Sequence, residues 1–436
     1  MNIVLLSGGS GKRLWPLSND IRSKQFIKIF PSENGERISM VQRVYGQIHR
    51  ALGDVSVTIA TSRAQSSILT SQLYDAADIS IEPCRRDTFP AMALVAAYLH
   101  DVKHVDENEV VVVCPIDPYV EDSYFASLKK LAEIAESGRA NLALMGIEPT
   151  YPSEKYGYIM PKSKEDISDV SSFKEKPDVT TAQKYIDEGA LWNGGVFASK
   201  LGYLLNKAHE IIEFKDYNEL FGKYDTLEKI SFDYAVVEKE PSIAVMRYSG
   251  SWKDLGTWNT LTEAMQVSAI GNAVLADTCE DTQVINDLDV PVLCLGLKNV
   301  VVAASPEGIL VTDKAQSSYI KPYVEAFHQP VMYAEKAWGS YKVIDIGEHS
   351  LTIKVTLLSG HKMNYHSHNH RDEVWTVLSG TGEAVIDGEK RKVQPGDIIK
   401  LPKGVKHTIV AETDLRLIEI QHGENIDVED KIKWSI

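Results

Sequence analysis

Two groups of residues in this 436-residue chain have the types and spacing that chemistry requires. The first is Ser7-Gly8-Gly9-Ser10-Gly11-Lys12-Arg13, followed downstream by Lys24. Gly8, Gly9 and Gly11 let the main chain turn sharply and bring its N–H groups up to a phosphate. Arg13 offers a flat bidentate fork and Lys24 a mobile point charge, so a triphosphate reacting here meets donors of different reach. The pattern is neither the dinucleotide fingerprint G-x-G-x-x-G nor a Walker loop, because no Gly-Lys-Ser/Thr follows. The second group is Gly360-x5-His366-x-His368-x4-Glu373-x6-Gly380, with Gly396-x5-Pro402-x-Gly404-x2-His407 further on. On a strand, His366 and His368 project from one face because side chains alternate. Glu373 and His407 can join them from adjoining strands, giving three imidazoles and one carboxylate, a set suited to a divalent transition metal. One strand histidine is ordinarily structural; four candidate ligands in this register reverse that reading.

Two aspartates add a hard-cation site. Asp117 follows the apolar run Val110–Cys114, and Asp254 lies in Trp252-Lys253-Asp254-Leu255-Gly256-Thr257-Trp258. An acid at a strand end suits Mg²⁺, which takes a few carboxylates plus water and phosphate oxygens. The plain alternative is a helix cap for Asp117 and a turn former for Asp254.

The elements that must position these residues are of two kinds. From the N-terminus, short apolar runs (Asn2–Leu6, Ser56–Ala60, Glu109–Cys114, Leu142–Ile147, Ile243–Tyr248) alternate with helical stretches (Met40–Ala51, Pro90–Leu99, Phe125–Ser137). That order predicts an α/β domain over 1–265, with a mostly parallel sheet covered on both faces and ligands at the carboxyl ends of its strands. Residues 266–328 lose helical periodicity and read as a small β-rich connector, with strands at Thr282–Ile285, Val290–Leu297, Asn299–Ala303 and Gly308–Val311. Residues 329–436 are strand and turn, with Ser379-Gly380-Thr381-Gly382 and Asp387-Gly388 as hairpin signals.

Composition sets bounds. Hydrophobic content of 44% and charged content of 25% are those of an ordinary globular protein. A net charge of −15 argues against a nucleic-acid partner, though local cations can still hold a nucleotide. No run approaches the ~18 apolar residues of a membrane span, so no membrane insertion is expected. Four scattered cysteines without a Cys-x-x-Cys pair, and a chain that enters a strand at once, predict a cytoplasmic protein with free thiols.

The stretch from Arg13 to Phe26 (Arg-Leu-Trp-Pro-Leu-Ser…Lys-Gln-Phe) resembles the signature of sugar-nucleotide pyrophosphorylases, in the version found in mannose-1-phosphate guanylyltransferases. The resemblance continues along most of the chain. Glu82-Pro83-Cys84-Arg85-Arg86-Asp87-Thr88 resembles the nucleotide-side loop, Tyr156-Gly157-Tyr158-Ile159 the sugar-side glycine strand, and Phe173-Lys174-Glu175-Lys176-Pro177 the Glu-Lys-Pro motif. Trp192-Asn193-Gly194-Gly195 and Ser231-Phe232-Asp233-Tyr234-Ala235 match further site segments. The paired histidine motifs resemble the two-part cupin motif, set in sequence similar to the mannose-6-phosphate isomerase domain fused to bacterial guanylyltransferases.

The resemblance implies a Rossmann-like nucleotidyltransferase domain, a connector and a C-terminal double-stranded β-helix (cupin) barrel. It implies GTP and α-D-mannose 1-phosphate as substrates, Mg²⁺ on Asp117 and Asp254, and catalysis by Arg13 and Lys24. The nucleotide would be bound by Leu6, Gly8, Gly9, Gly11, Lys12, Arg13, Lys24, Glu82, Arg86, Asp87 and Thr88. The sugar phosphate would be bound by Gly157, Tyr158, Glu175, Lys176, Asn193 and Asp233. The cupin would hold Zn²⁺, Mn²⁺, Fe²⁺ or Co²⁺ on His366, His368, Glu373 and His407, with Arg371 serving interconversion of mannose 6-phosphate and fructose 6-phosphate. A homodimer is also implied. Three positions depart from the family pattern: Pro118 where His is usual after the aspartate, Asp87 where Asn is common, and His366 where Gln is typical. These keep two alternatives open: a transferase for another base or sugar 1-phosphate with a non-catalytic cupin, and a binding protein that senses a nucleotide sugar.

Overall fold

The computed structural model describes residues 1–9, 12–32, 34–74, 76–424, 426 and 430–435. It forms two compact units. One comprises Met1–Gly9, Lys28–Ser66 and Asp75–Gly256; the other comprises Ser10–Ile27, Ser67–Tyr74 and Thr257–Ile436.

The first unit is built on a nine-stranded mixed sheet. Strands Asn2–Ser7, Ser56–Ser62, Asp78–Glu82 and Val110–Pro115 are mutually parallel, with Leu6 level with both Ala60 and Pro115. Their carboxyl ends therefore lie on one edge, and three of them run into segments singled out above. Gly8 and Gly9 follow the first strand, Glu82–Thr88 continues the third, and Asp117 follows the fourth. The Leu191–Lys200 strand runs antiparallel between Val110–Pro115 and Leu142–Ile147. The expected strands at Leu142–Ile147 and Ile243–Tyr248 are present with those bounds and pair in parallel.

Helix Met40–Leu52 starts at a capping box of Ser39 and Gln42, which satisfies two of the backbone donors left open at a helix start. Helix Thr88–Ala97 is buried from Phe89 to Ala97 and packs in the main core with Val4, Val111 and Leu144. The single helix expected over Phe125–Ser137 is two pieces, Asp122–Ala126 and Leu128–Glu136, interrupted at Ser127, whose hydroxyl donates to the Tyr124 carbonyl. Such back-bonding competes with regular helix geometry.

In the second unit, parallel strands Ala269–Gly271, Gln283–Asn286 and Val300–Ser305, with antiparallel Gly308–Asp313, form a small sheet over Val284, Cys294 and Val302. The remainder folds into a six-stranded and a five-stranded sheet that share one core, including Trp375, Val377, Leu401, Ile409 and Leu417. The Asp387-Gly388 turn joins Gly382–Ile386 to Glu389–Val393 with positive φ at both residues, as a two-residue hairpin turn requires. Among the described residues, no helix is long and apolar enough to cross a membrane. All four cysteines are free thiols.

Candidate functional site

A cleft of about 220 Å³ opens in the first unit and gathers residues from six separated segments. Its acids are placed by backbone pairing. Strand Trp252–Asp254 lies antiparallel to Pro118–Val120, with Asp254 directly opposite Pro118. This ribbon brings Asp117 and Asp254 into the same cleft. Asp117 caps no helix, since the next helix begins after Glu121. Pro118 sits in a two-stranded ribbon, where proline is tolerated. Two carboxylates lining one cleft are the hard oxygen donors Mg²⁺ requires, so the residues present fit that ion.

Other residues of the lining are tied together by hydrogen bonds. Asn193 donates from Nδ2 to Asp233 Oδ1 at 2.7 Å and accepts from the Gly195 N–H at 3.1 Å, which fixes its amide orientation. The Asn193 N–H donates to the Gly157 carbonyl at 2.8 Å. Burial, followed by repulsion from Glu175, pushes the Asp233 carboxyl up to about 7. Glu175 lines the cleft and pairs with Lys176, whose backbone φ is +45°. Gly157 is a close-approach position, because a Cβ there would stand 2.5 Å from Glu175 Oε2 and 2.7 Å from the Phe173 ring.

Tyr156 and Trp252 also line the cleft, and motif reading omitted both as site residues. Tyr156 packs edge-on to Trp252 at 5.4 Å and lies 5.0 Å from Trp192. Burial first, then the charge of Asp254, raises its hydroxyl pKa. The aromatic at the start of Tyr156-Gly157-Tyr158 was the available signal. Tyr158 itself is fully buried and is not part of the cleft lining; its hydroxyl donates to the Ser153 carbonyl and accepts from Trp192 Nε1.

On the nucleotide-side loop, Asp87 is the N-cap of helix Thr88–Ala97 and accepts from the Thr88 N–H at 2.7 Å. Its backbone, φ +72° and ψ −177°, lies in a region that glycine normally occupies. Thr88 Oγ1 accepts from the Phe232 N–H at 2.8 Å. Glu82 accepts from the Tyr224 hydroxyl at 2.7 Å, and burial raises its pKa. Arg86 is partly buried, and its Nε has no hydrogen-bond partner among the described residues. Gly8 and Gly9 are exposed, Gly9 at φ +108°, with open space where a side chain would be. Leu6 accepts from the Ile116 N–H. Lys12 and Arg13 form a short 3₁₀ turn in the second unit, and Lys24 opens another there. Gly11 lies outside the described residues.

The second unit contains the four-residue cage. The candidate ligand atoms of His366, His368, Glu373 and His407 all lie within 4.8 Å of one another, and all four residues are buried. His366 and His407 face each other in antiparallel register, and Glu373 comes from the Arg371–Ser379 strand. Each imidazole turns Nδ1 toward a backbone carbonyl: Asn364 at 2.6 Å, Asp430, and Val405 at 2.9 Å. Nδ1–H donation leaves Nε2 with a lone pair aimed inward, the tautomer a metal requires. Burial, followed by the charge of Lys431, lowers His366 to about 2, so its ring is neutral. Burial opposes ionisation of Glu373, but the facing imidazoles of His368 and His407 outweigh it and hold the carboxyl below its ordinary range. Glu373 Oε2 and His407 Nε2 are 3.4 Å apart, buried and without a hydrogen bond. Orphaned donor atoms around a three-imidazole, one-carboxylate set fit a divalent transition metal. Arg371 reaches this cage, with Nε 3.0 Å from Glu373 Oε1 and Nη2 3.2 Å from His368 Nε2. Glu419 and Gln421, which the motif did not include, are buried nearby; Gln421 is the cross-strand neighbour of Glu373 and donates to Glu419.

These features define a nucleotidyltransferase fold together with a cupin-like domain whose buried histidines and glutamate could hold a metal. The nucleotidyl transferase family profile matches residues 2–269, more than half of the chain, and this protein belongs to that family. A second profile, the C-terminal domain of mannose-6-phosphate isomerase, matches residues 324–435. The chain is 27% identical to mannose-1-phosphate guanylyltransferase of Salmonella montevideo, over 99% of this chain and 98% of that one. It is 28% identical to the enzyme of the same name from Escherichia coli K12, over 99% and 97%. Among solved structures, a protein described as mannose-1-phosphate geranyltransferase from Thermus thermophilus superposes with a TM-score of 0.61. That match has 28% identity and covers 74% of this chain and 98% of that chain.

Proposed function

We propose that this chain transfers a guanylyl group from GTP to α-D-mannose 1-phosphate, releasing diphosphate and forming GDP-mannose. The supporting observation is the convergence of Asp117, Asp254, Glu175, Asn193 and Asp233 on one cleft. A phosphate oxygen of the sugar phosphate attacks the α-phosphorus in line; the new P–O bond forms as the bond to the β-phosphate oxygen breaks. No proton needs to move, so positioning and charge neutralisation carry the catalysis. Asp117 and Asp254 would hold Mg²⁺, which screens phosphate charge when bound. Asn193, Asp233 and Glu175 would bind sugar hydroxyls, Lys176 would face the sugar phosphate, and the short approach at Gly157 would seat the ring. Resemblance assigns the leaving diphosphate to Arg13 and Lys24, and backbone contacts to Gly8, Gly9, Gly11 and Lys12. The division 1–265, 266–328 and 329–436 into transferase, connector and cupin, a homodimer and a cytoplasmic location belong to the same reading.

The cage carries the second activity. Its four donors would hold a divalent transition metal, which polarises a carbonyl when bound. Arg371 would stabilise the enediolate as a proton passes between C2 of mannose 6-phosphate and C1 of fructose 6-phosphate.

The test is diphosphate release with the four common nucleoside triphosphates against mannose, glucose, fucose and heptose 1-phosphates. GTP with mannose 1-phosphate should turn over fastest, and Asp117→Ala and Asp254→Ala should each remove activity. Faster turnover of another pair would overturn the assignment of base or sugar; no release from any pair would overturn the transferase reading.

A further inference from the structure

Among the described residues, the lining of the cleft in the first unit carries four acids, Asp117, Glu175, Asp233 and Asp254, and one cation, Lys155. An anion entering between carboxylates is repelled unless cations offset them. Asp117 and Asp254 have a divalent ion to hold. Lys176, the lysine that resemblance turns toward the sugar phosphate, pairs its ammonium with Glu175 and is not part of the lining. To reach a phosphate it must give up that carboxylate. Lys155 has no such partner.

The backbone on either side of Lys155 is tied down. Its N–H donates to Ser153 Oγ at 3.1 Å. The Ser153 N–H in turn donates to the Tyr158 hydroxyl at 2.8 Å, and the Ser153 carbonyl accepts from that hydroxyl at 3.0 Å. Trp192 Nε1 donates to the same oxygen at 3.1 Å. Beyond Lys155, the Tyr156 carbonyl accepts from the Lys176 N–H at 3.2 Å, and the Gly157 carbonyl from the Asn193 N–H at 2.8 Å. The Lys155 side chain is exposed and makes no ion pair or side-chain hydrogen bond among the described residues. A fixed Cα with a mobile ammonium suits a group that must meet an incoming charge.

We propose that Lys155 is a phosphate-binding residue of this cleft and that its ligand is the phosphate group of the sugar 1-phosphate. The inference rests on the transferase reading and adds a cation that the motifs did not include. Position favours the sugar phosphate over the nucleotide. Lys155 lies two residues before Gly157, which abuts Glu175 and hydrogen-bonds Asn193, and both of those belong to the sugar in that reading. An ammonium there separates a phosphorylated sugar from a free one without reading ring hydroxyls.

Diphosphate release by the full chain tests it, with mannose 1-phosphate and GTP varied in turn. Lys155→Met should raise the KM for mannose 1-phosphate about tenfold, the value of one charge-assisted hydrogen bond, and leave the GTP KM unchanged. Lys155→Arg should keep most of the affinity. The lysine reads charge and not the ring, so the ratio of kcat/KM for mannose over glucose 1-phosphate should stay the same in Lys155→Met. The rise of the mannose 1-phosphate KM with added salt should also flatten in that variant. An unchanged KM for mannose 1-phosphate in Lys155→Met, beside turnover by the unmodified chain, overturns this assignment and leaves the transferase reading standing. A rise confined to the GTP KM also overturns it, by moving the lysine to the nucleotide. A shifted sugar ratio overturns it too, because it reports a disturbed turn. No diphosphate from the unmodified chain with any pair removes the transferase reading and this assignment with it.

Discussion

Asp233 shows how one carboxyl can be set by its surroundings for a task its sequence position only suggests. Its proton is held to about pH 7 by burial, then by repulsion from Glu175, against the hydrogen bond from Asn193. The folded pKa is raised, so the charge appears as pH rises through 7 and adds to that of Glu175 beside an incoming phosphate. The KM for mannose 1-phosphate should therefore rise across about pH 6–8, roughly a unit either side of that midpoint, and Asp233→Asn should flatten that step while leaving the GTP KM unchanged. A step that persists in the variant would assign the titration elsewhere. In the cage, the spacing of His366, His368, Glu373 and His407 was fully legible, because strand alternation alone puts the first two on one face. The supporting carbonyls of Asn364, Val405 and Asp430 were not, since backbone acceptors carry no side-chain signature. Glu373→Gln removes the only anionic donor of the four. It should cost more zinc affinity than the roughly ten- to hundredfold typical of losing a supporting contact, measured as metal retained after dialysis.

At the level of elements, the strand Leu191–Lys200 carries Asn193 into the cleft and was absent from the strands expected from sequence. Its Gly194-Gly195 pair reads as a break, and the structure uses it as one: the register to Leu142–Ile147 shifts between Asn193 and Phe197, and Gly195 has φ +71°. A bulge re-aims a side chain without ending the strand, and local propensity cannot distinguish the two outcomes. Three of the four parallel strands were legible because each is a short apolar run, and their carboxyl edge followed from that order; Asp78–Glu82, with apolar residues only at Ile79 and Ile81, was not among those expected. The strand Tyr158–Pro161 was not among the apolar runs and entered only through the resemblance of Tyr156–Ile159 to a glycine strand; it is four residues long and pairs with both Ile167–Lys174 and Leu191–Lys200. Just before it, Gly157 has room only for hydrogen. Gly157→Ala must push against Glu175 Oε2 and the Phe173 ring, an overpacking cost of about 1–3 kcal/mol. We expect kcat/KM for mannose 1-phosphate to fall at least about tenfold, the low end of that cost read as a rate, while isomerisation is unaffected. Unchanged kinetics would mean that Glu175 can move aside freely.

At the scale of the whole molecule, the second unit includes two stretches from early in the chain, 10–27 and 67–74, which no local pattern could assign. Their contacts are long-range and partly buried. Asn19 donates from Nδ2 to Glu307 Oε1 at 2.7 Å and lies 2.9 Å from the Tyr333 carbonyl. Arg22 pairs with Asp287 at 2.9 Å, Trp258 Nε1 donates to the Trp15 carbonyl at 3.1 Å, and Gln72 Nε2 donates to Glu335 at 3.2 Å. Periodicity and hairpin signals report only neighbours in sequence, so the chain reads as consecutive blocks even where the fold is interleaved. The consequence is thermodynamic. A fragment beginning at Thr257 leaves Glu307, 7% exposed, without the Asn19 amide, and Asp287 without its guanidinium. Glu307 keeps the Met332 and Tyr333 N–H donors, so each loss is that of one contact, about 0.5–1.5 kcal/mol. The zinc-loaded fragment should therefore melt well below the cupin transition of the full chain, and Asn19→Ala in the full chain should lower that transition by a smaller amount in the same direction. Equal melting of fragment and full chain, followed by calorimetry at matched zinc, would show that the early segments add nothing to the stability of this unit.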